Sequence, residues 1–394
     1  MNSVEAVRRT RLLVLCSRVS TGPEIGPETR ALLTSGPDWQ SILKRADDEG
    51  VLPLLYWNLK KWPGEVPPDV LQRLKVSYLR SLTRNSQISR ELEPLLKAVK
   101  DSGVRTVLTK GLRLASTVYP DLGLRPFWDV DFLVDSADWR RLERILDGLG
   151  FMECPQQVTG SDLPARDRDW TYSPYFQRGD LILEFHFNVL GLHFPVGPEP
   201  MDAMTAAPMA VGGTEVSVLS PEYELCYLCL HAQQHSYQKL IWLADIGELA
   251  SRPGIDWGLV LDACWSLKIR ASVHHGLRLV EELWPGSVPA DVLLGLRPGP
   301  FERAALRFFW PDAAVVGRGG TLPWPYYMPS LFSLWERRSL ALAGRTLSGI
   351  IFPPRPWLGR ASGTTGRTLL IYFQYARRLM RPVGLAVRRL AGMT

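Results

Sequence analysis

Residues 104–111 read VRTVLTKG and residues 125–134 read RPFWDVDFLV. The first stretch predicts a short buried strand, Val104–Leu108, ending in the turn Lys110-Gly111. The second predicts a strand, Asp129–Val134, that carries Asp129 and Asp131. Side chains two apart on a strand share a face, so the two carboxylates stand side by side. Such a pair repels itself and is costly unless a cation lies between its members. Lys110-Gly111 at a strand-to-helix turn offers what a polyphosphate needs: a point charge, a close backbone approach and helix-start N–H groups. Together the stretches ask for a nucleotide carried with a divalent metal. The plainer alternative is that Asp129 ends a loop while Asp131 pairs with Arg125.

A third segment tips the balance. Residues 181–187 read LILEFHF, and alternation puts Glu184 and His186 on one face with Leu183, Phe185 and Phe187 on the other. Glu184 on a neighbouring strand would complete an Asp-x-Asp…Glu triad. Hard divalent cations such as Mg²⁺ or Mn²⁺ favour oxygen ligands of this kind, and Mg²⁺ is commonly held by one or two carboxylates plus substrate phosphates. An exposed amphipathic edge strand is the competing reading of this segment.

Working outward, residues 1–100 read as a helical region, with a helix of about 30 residues from Pro68 to Lys100 closed by Ser102-Gly103. Residues 101–220 mix short strands and helices. Leu112–Val118 reads as a helix, and Trp139–Leu149 as another with Ser136 as N-cap and Gly150 as stop. Trp170–Phe176 and Leu181–Phe187 read as a hairpin turning at Arg178-Gly179-Asp180, and Glu215–Leu219 as a further strand. Residues 221–394 return to helix, opened by Ser220-Pro221. The fold class is therefore α+β: a mixed-sheet core flanked by N-terminal and C-terminal helical regions.

The 394 residues exceed one ordinary core, and 46% apolar with 22% charged content is that of a soluble globular protein. Five scattered cysteines argue against a disulfide framework. No apolar run reaches the ~18 residues of a membrane span, so a cytoplasmic location and no membrane span are expected. Charge is uneven. The whole chain carries +6, yet eleven arginines and no acid follow Glu336, which leaves the first 336 residues at −5. The Arg-rich end suits a polyanion or a partner protein.

Within the helix expected from Pro221, Cys226 and Cys229 project opposite to His231 and His235 at 100° per residue, so one shared zinc site is not expected. If the helix runs unbroken, His231, His235, Lys239 and Asp245 line one stripe. With His186 they would form a substrate-facing wall, the alternative being a solvated helix side.

These residues resemble a family, the bacterial uncharacterised nucleotidyltransferases of the DNA polymerase β-like superfamily. The likeness rests on VLTKG, Arg125, DVDFLV, ILDGLGF, LEFHF and HAQQHSYQKLIWLADI in that order. It spans roughly residues 35 to 260, with a looser echo in FPPRPWLGR at 352–360. The resemblance implies a nucleotidyltransferase-like core in which Asp129, Asp131 and Glu184 are catalytic and hold the metals. It implies that Lys110, Gly111 and Arg125 bind the nucleotide, Arg125 at the triphosphate. Lys110-Gly111 stands where the wider superfamily has Gly-Ser or Gly-Gly, which leaves the phosphate contacts less defined than the acids. The expected reaction moves NMP from Mg-NTP, with ATP as the expected donor, to a hydroxyl or phosphate of a small molecule, a peptide or protein, or an RNA. Two rivals stand beside it: a catalytically inactive module that binds a peptide or protein partner, and an RNA-directed nucleotidyltransferase toxin.

Overall fold

The computed structural model describes residues 3–19, 25–135, 137–154, 174–187, 204–206, 208–310, 332 and 336. The Arg-rich end after Glu336, the Gly- and Pro-rich stretch at 317–325 and the cap candidate Ser136 lie outside the described residues.

Four helices come first: α1 (Ser3–Leu15), α2 (Ile25–Thr34), α3 (Trp39–Asp48) and α4 (Leu52–Leu59). The long helix α5 (Pro68–Ser102) follows and ends where Gly103 takes φ 68°, the left-handed cap that glycine adopts without penalty. At about 1.5 Å per residue it is long enough to serve two cores. Its Val70 and Leu74 pack among helices, whereas Ile88, Leu92, Leu95 and Leu96 pack on the sheet.

The sheet elements are β1 (Thr106–Thr109), then α6 (Lys110–Thr117), β2 (Val130–Val134), α7 (Trp139–Gly148), β3 (Met152–Glu153), β4 (Tyr175–Arg178), β5 (Leu181–His186), β6 (Met209–Val211) and β7 (Thr214–Val218). Strand order is β3-β4-β5-β2-β1-β7-β6. The sheet is mixed: β1 runs antiparallel to β2 and parallel to β7, and β2 runs parallel to β5. β4 and β5 form the expected hairpin, with Arg178 opposite Leu181. Register lines up Thr109, Asp131, Glu184 and Tyr175 as one row across four strands.

Each face has its own cover. Leu108, Phe132, Leu183 and Phe185 point towards α5 and α7, where Trp139 meets Phe185 edge-on with centroids 5.6 Å apart. Val107 and Leu133 on the opposite face pack with Met204, Leu219 and Tyr227.

The C-terminal helices are α8 (Pro221–Gln234), α9 (Leu240–Ala250), α10 (Trp257–Ser266), α11 (Arg270–Leu283), α12 (Ala290–Gly295) and α13 (Pro300–Phe309). Ser220 caps α8 as expected, its hydroxyl accepting from the Tyr223 N–H. One apolar cluster joins Leu12, Leu54 and Leu74 to Leu243, Val280 and Trp310, so the N-terminal and C-terminal helices share a core.

Two sequence expectations change in detail. Strand β1 begins at Thr106, and Lys110 itself opens α6. The helix from Pro221 is not continuous: it stops at Gln234, Ser236 and Tyr237 take positive φ of 57° and 53°, and α9 starts afresh at Leu240.

Candidate active site

The carboxylate row is held by strand register. Asp131 and Glu184 face each other on parallel strands, and Tyr175 stands across from Glu184 on the hairpin and donates its hydroxyl to that carboxylate. His186 is one alternation further along β5, on the same face. Its Nε2 lies 2.9 Å from Asp131 Oδ1 and 3.4 Å from Glu184 Oε2.

Lys110 reaches this row from the β1–α6 turn. Its Nζ donates to Asp131 Oδ1 at 2.6 Å, lies 3.2 Å from His186 Nε2 and sits 5.4 Å from the Tyr227 ring centre. Lys110 adopts φ 49°, a left-handed conformation that costs a non-glycine residue about 1–2 kcal/mol. Glu224 of α8 holds that turn by accepting the Lys110 backbone N–H at 3.0 Å. This first amide of α6 is thereby bonded within the protein.

The charges shape one another. Burial opposes the Lys110 ammonium, but Asp131, Tyr227 and Glu184 outweigh it and hold its pKa well above the usual value. Burial likewise opposes the Glu184 carboxylate, yet His186, Lys110 and the Tyr175 hydroxyl hold it well below the ordinary range. Burial and Lys110 disfavour a charged His186, and the contacts with Glu184 and Asp131 prevail and raise its pKa. Asp129 shows the crowding most plainly: burial first, then Asp131 and Glu184, push it up to about 7. This is the response of buried like charges that lack enough counter-charge.

Ligand atoms of Asp131, Glu184 and His186 all fall within 4.8 Å of one another, the one such metal-capable group among the described residues. Two carboxylate oxygens and an imidazole, with Asp129 adjoining, suit a divalent cation, and the raised Asp129 pKa fits a need for one. His186, expected only as part of a wall, is thus a central member of the site.

Gly111 is required by packing. A Cβ there would come within 2.8 Å of Phe127 Cβ and 3.2 Å of Arg125 Nη1. Arg125 is buried and turned towards α9, where its Nε and Nη2 donate to Asp245 at 3.2 and 2.7 Å. Tyr119 adds its hydroxyl to the same carboxylate at 2.8 Å. Asp245, a wall candidate, therefore sits fully buried at the junction of the β1–β2 connection with α9. His231, His235 and Trp242 form a ring cluster with centroid separations of 4.6, 5.3 and 5.0 Å, and Lys239 Nζ lies 5.9 Å from the Trp242 ring centre. Burial lowers the His231 pKa well below its usual value, and Lys110, His235 and His186 lower it further.

Sequence reasoning missed Tyr175, Glu224 and Tyr227. Tyr175 was within reach, because counting back from the Gly179-Asp180 turn pairs it with Glu184. Glu224 left a fainter signal: an acid inside the apolar helical run ELCYLCL. The thiols of Cys226 and Cys264 face each other at 3.8 Å, and all five cysteines are free.

The family described as uncharacterised nucleotidyltransferase has a model that matches residues 35–285, a span that includes every candidate residue from Lys110 to Asp245. No curated protein and no solved structure matches the chain. The mixed sheet with its flanking helices and the carboxylate row agree with that family match. The chain belongs to the uncharacterised nucleotidyltransferase family.

Proposed function

We propose that the protein transfers a nucleoside monophosphate from a divalent-metal NTP, with ATP as the expected donor, to an acceptor hydroxyl or phosphate. The observation that supports this most directly is the convergence of Asp131, Glu184 and His186 on one sheet face around a buried lysine, with Asp129 just ahead of β2. Asp129, Asp131 and Glu184 would hold Mg²⁺ or Mn²⁺, with His186 beside them. When bound, such a cation lowers the pKa of an attacking hydroxyl and neutralises triphosphate charge. The chain's own residues do the rest. The row orients the acceptor oxygen towards the α-phosphorus, and one of its carboxylates takes the hydroxyl proton as the new P–O bond forms and pyrophosphate leaves. Lys110 supplies fixed positive charge on the face where the phosphates lie. The His231–His235–Trp242 cluster, with Lys239, forms the wall beside them. Five free cysteines suit a reducing cytoplasm, and no helix among the described residues is long and apolar enough to cross a membrane.

One observation favours a second reading, a nucleotidyltransferase fold used as a binding module: Asp131 already has a counter-ion in Lys110. A thermal-shift panel of the four NTPs with and without Mg²⁺ separates the two. Transfer chemistry predicts stabilisation only when nucleotide and metal are both present, about 2.7 kcal/mol at a hundred times Kd. A melting curve indifferent to every combination would remove the enzymatic reading.

A further inference from the structure

We propose that the Lys110 ammonium is a resident cation standing where a two-metal site would hold one of its ions, so that the row takes a single divalent cation per nucleotide. The proposal rests on nucleotidyl transfer at the carboxylate row and fixes the stoichiometry of its metal.

A lysine that meets an incoming phosphate ordinarily keeps its ammonium in water, at the end of a flexible stem. Lys110 does not. Its side chain is 6% exposed and that of Asp131 4%. The ammonium meets three elements at once. Nζ lies 2.6 Å from Asp131 Oδ1 on β2, 3.2 Å from His186 Nε2 on β5 and 5.4 Å from the Tyr227 ring centre on α8. Its backbone is pinned as well, at φ 49° with the N–H held by Glu224 at 3.0 Å. Swinging the side chain outward would leave Asp131 buried without its counter-charge, which is costly. The ammonium is therefore a built part of the site and not an arm that moves with substrate.

The atoms it spans are those a second ion would need. Two-metal sites place their ions about 3.5–4 Å apart, each with protein ligands of its own. Here Asp131 Oδ1 and His186 Nε2 are 2.9 Å apart, and the ammonium already contacts both. The other side of the row is different. Among the described residues Asp129 has no hydrogen bond or ion pair. Glu184 is met by the Tyr175 hydroxyl and, at 3.4 Å, by His186 Nε2. Those two carboxylates and the second oxygen of Asp131 offer an oxygen donor set suited to one hard cation, with substrate phosphates completing its shell. Charge points the same way. Asp129, Asp131 and Glu184 bring −3 when ionised, against which Lys110 sets +1 and one divalent ion +2. A second divalent ion would leave the row at +2 before any nucleotide enters.

The test is equilibrium dialysis of the full chain against Mn²⁺ and α,β-methylene ATP, which cannot transfer its nucleotide, with bound manganese and bound nucleotide both counted. The wild type should hold one manganese ion per bound nucleotide. Lys110→Met, which keeps most of the side chain and removes its charge, should hold two, the second on Asp131 and His186. Mn²⁺ alone should also raise the urea midpoint of Lys110→Met by more than it raises that of the wild type, because an ion then replaces the lost counter-charge. Two manganese ions per nucleotide on the wild type overturn the proposal and leave nucleotidyl transfer standing. One ion per nucleotide on a folded Lys110→Met overturns it too, since the lysine would then hold no ion's place. If Lys110→Met does not fold, the wild-type ratio decides by itself. No bound nucleotide, or nucleotide bound without manganese, removes metal-dependent transfer from ATP and the proposal with it.

Discussion

The Lys110 ammonium donates to Asp131 Oδ1 at 2.6 Å, and both side chains are almost completely sealed from solvent. A buried pair of this kind adds little net stability over an apolar pair, but removing one partner leaves the other charged and uncompensated. Asp131→Asn should therefore cost about 3 kcal/mol in urea unfolding. Adding Lys110→Met should recover part of that loss, an interaction energy that a double-mutant cycle reads directly. Strictly additive losses would mean the pair is not energetically coupled.

Burial first, then Asp131 and Glu184, raise the Asp129 pKa, and Lys110 and His186 offset only part of that. Asp129→Asn should raise the melting temperature of the metal-free protein in EDTA at neutral pH. The same change should abolish the added stabilisation from Mg²⁺-NTP. A variant that is less stable without metal would show that Asp129 is structurally satisfied as it stands.

The contrast between these two aspartates bears on what the sequence could reveal. Their spacing, the hairpin turn at Gly179-Asp180 and the Glu184/His186 alternation are local patterns, and each placed its residues on the correct face. What local patterns cannot report is which distant group completes a charge. Arg125 finds Asp245 across 120 positions, and Lys110 has its backbone fixed by Glu224 across 114. The break after Gln234 was also hidden, because residues 235–239 contain neither glycine nor proline and the positive φ values fall on Ser236 and Tyr237. Tertiary packing there overrides the helical periodicity that made His231 and Asp245 look like one stripe.

Gly111 provides a test of packing against phosphate binding. A methyl group there would press on the Phe127 Cβ at 2.8 Å and Cγ at 3.0 Å. Overpacking of this kind costs about 1–3 kcal/mol, so Gly111→Ala should lower the urea midpoint in the absence of any nucleotide. An unchanged midpoint with weakened NTP binding would assign the glycine to phosphate approach instead.

Acid should destabilise the helical core through α11. Burial first, then Arg278 and His274, lower the His275 pKa to about 3. His274 is lowered to about 4 by burial and neighbouring arginines. Both histidines are neutral in the fold and protonate more readily once unfolded. Their contribution is intact above about pH 6.5 and is lost as pH falls from there towards 3, to a limit of about 5 kcal/mol for His275. His275 packs between Tyr237 and Trp310 with Nε2 unbonded, so His275→Phe should keep the packing and flatten the slope of stability against pH below 6.5. An identical slope in the variant would place the acid sensitivity elsewhere.

Arg125 and Asp245 couple the connection that leads into β2 to α9. The guanidinium presents Nε and Nη2 to the one carboxylate, and Tyr119 takes a further position on it. Lysine cannot reproduce that fork, so Arg125→Lys should lose about 2–3 kcal/mol despite retaining the charge. Because Arg125 Nη1 also abuts the position of Gly111, the loosened side chain should disturb the Lys110-Gly111 turn. The effect should appear as weaker Mg²⁺-NTP stabilisation in addition to the loss of fold stability. Asp245→Asn removes the charge partner from the far end and should weaken both in the same proportion. If Arg125→Lys instead abolishes nucleotide binding at unchanged stability while Asp245→Asn leaves binding intact, Arg125 touches the triphosphate directly, and its link to α9 is secondary.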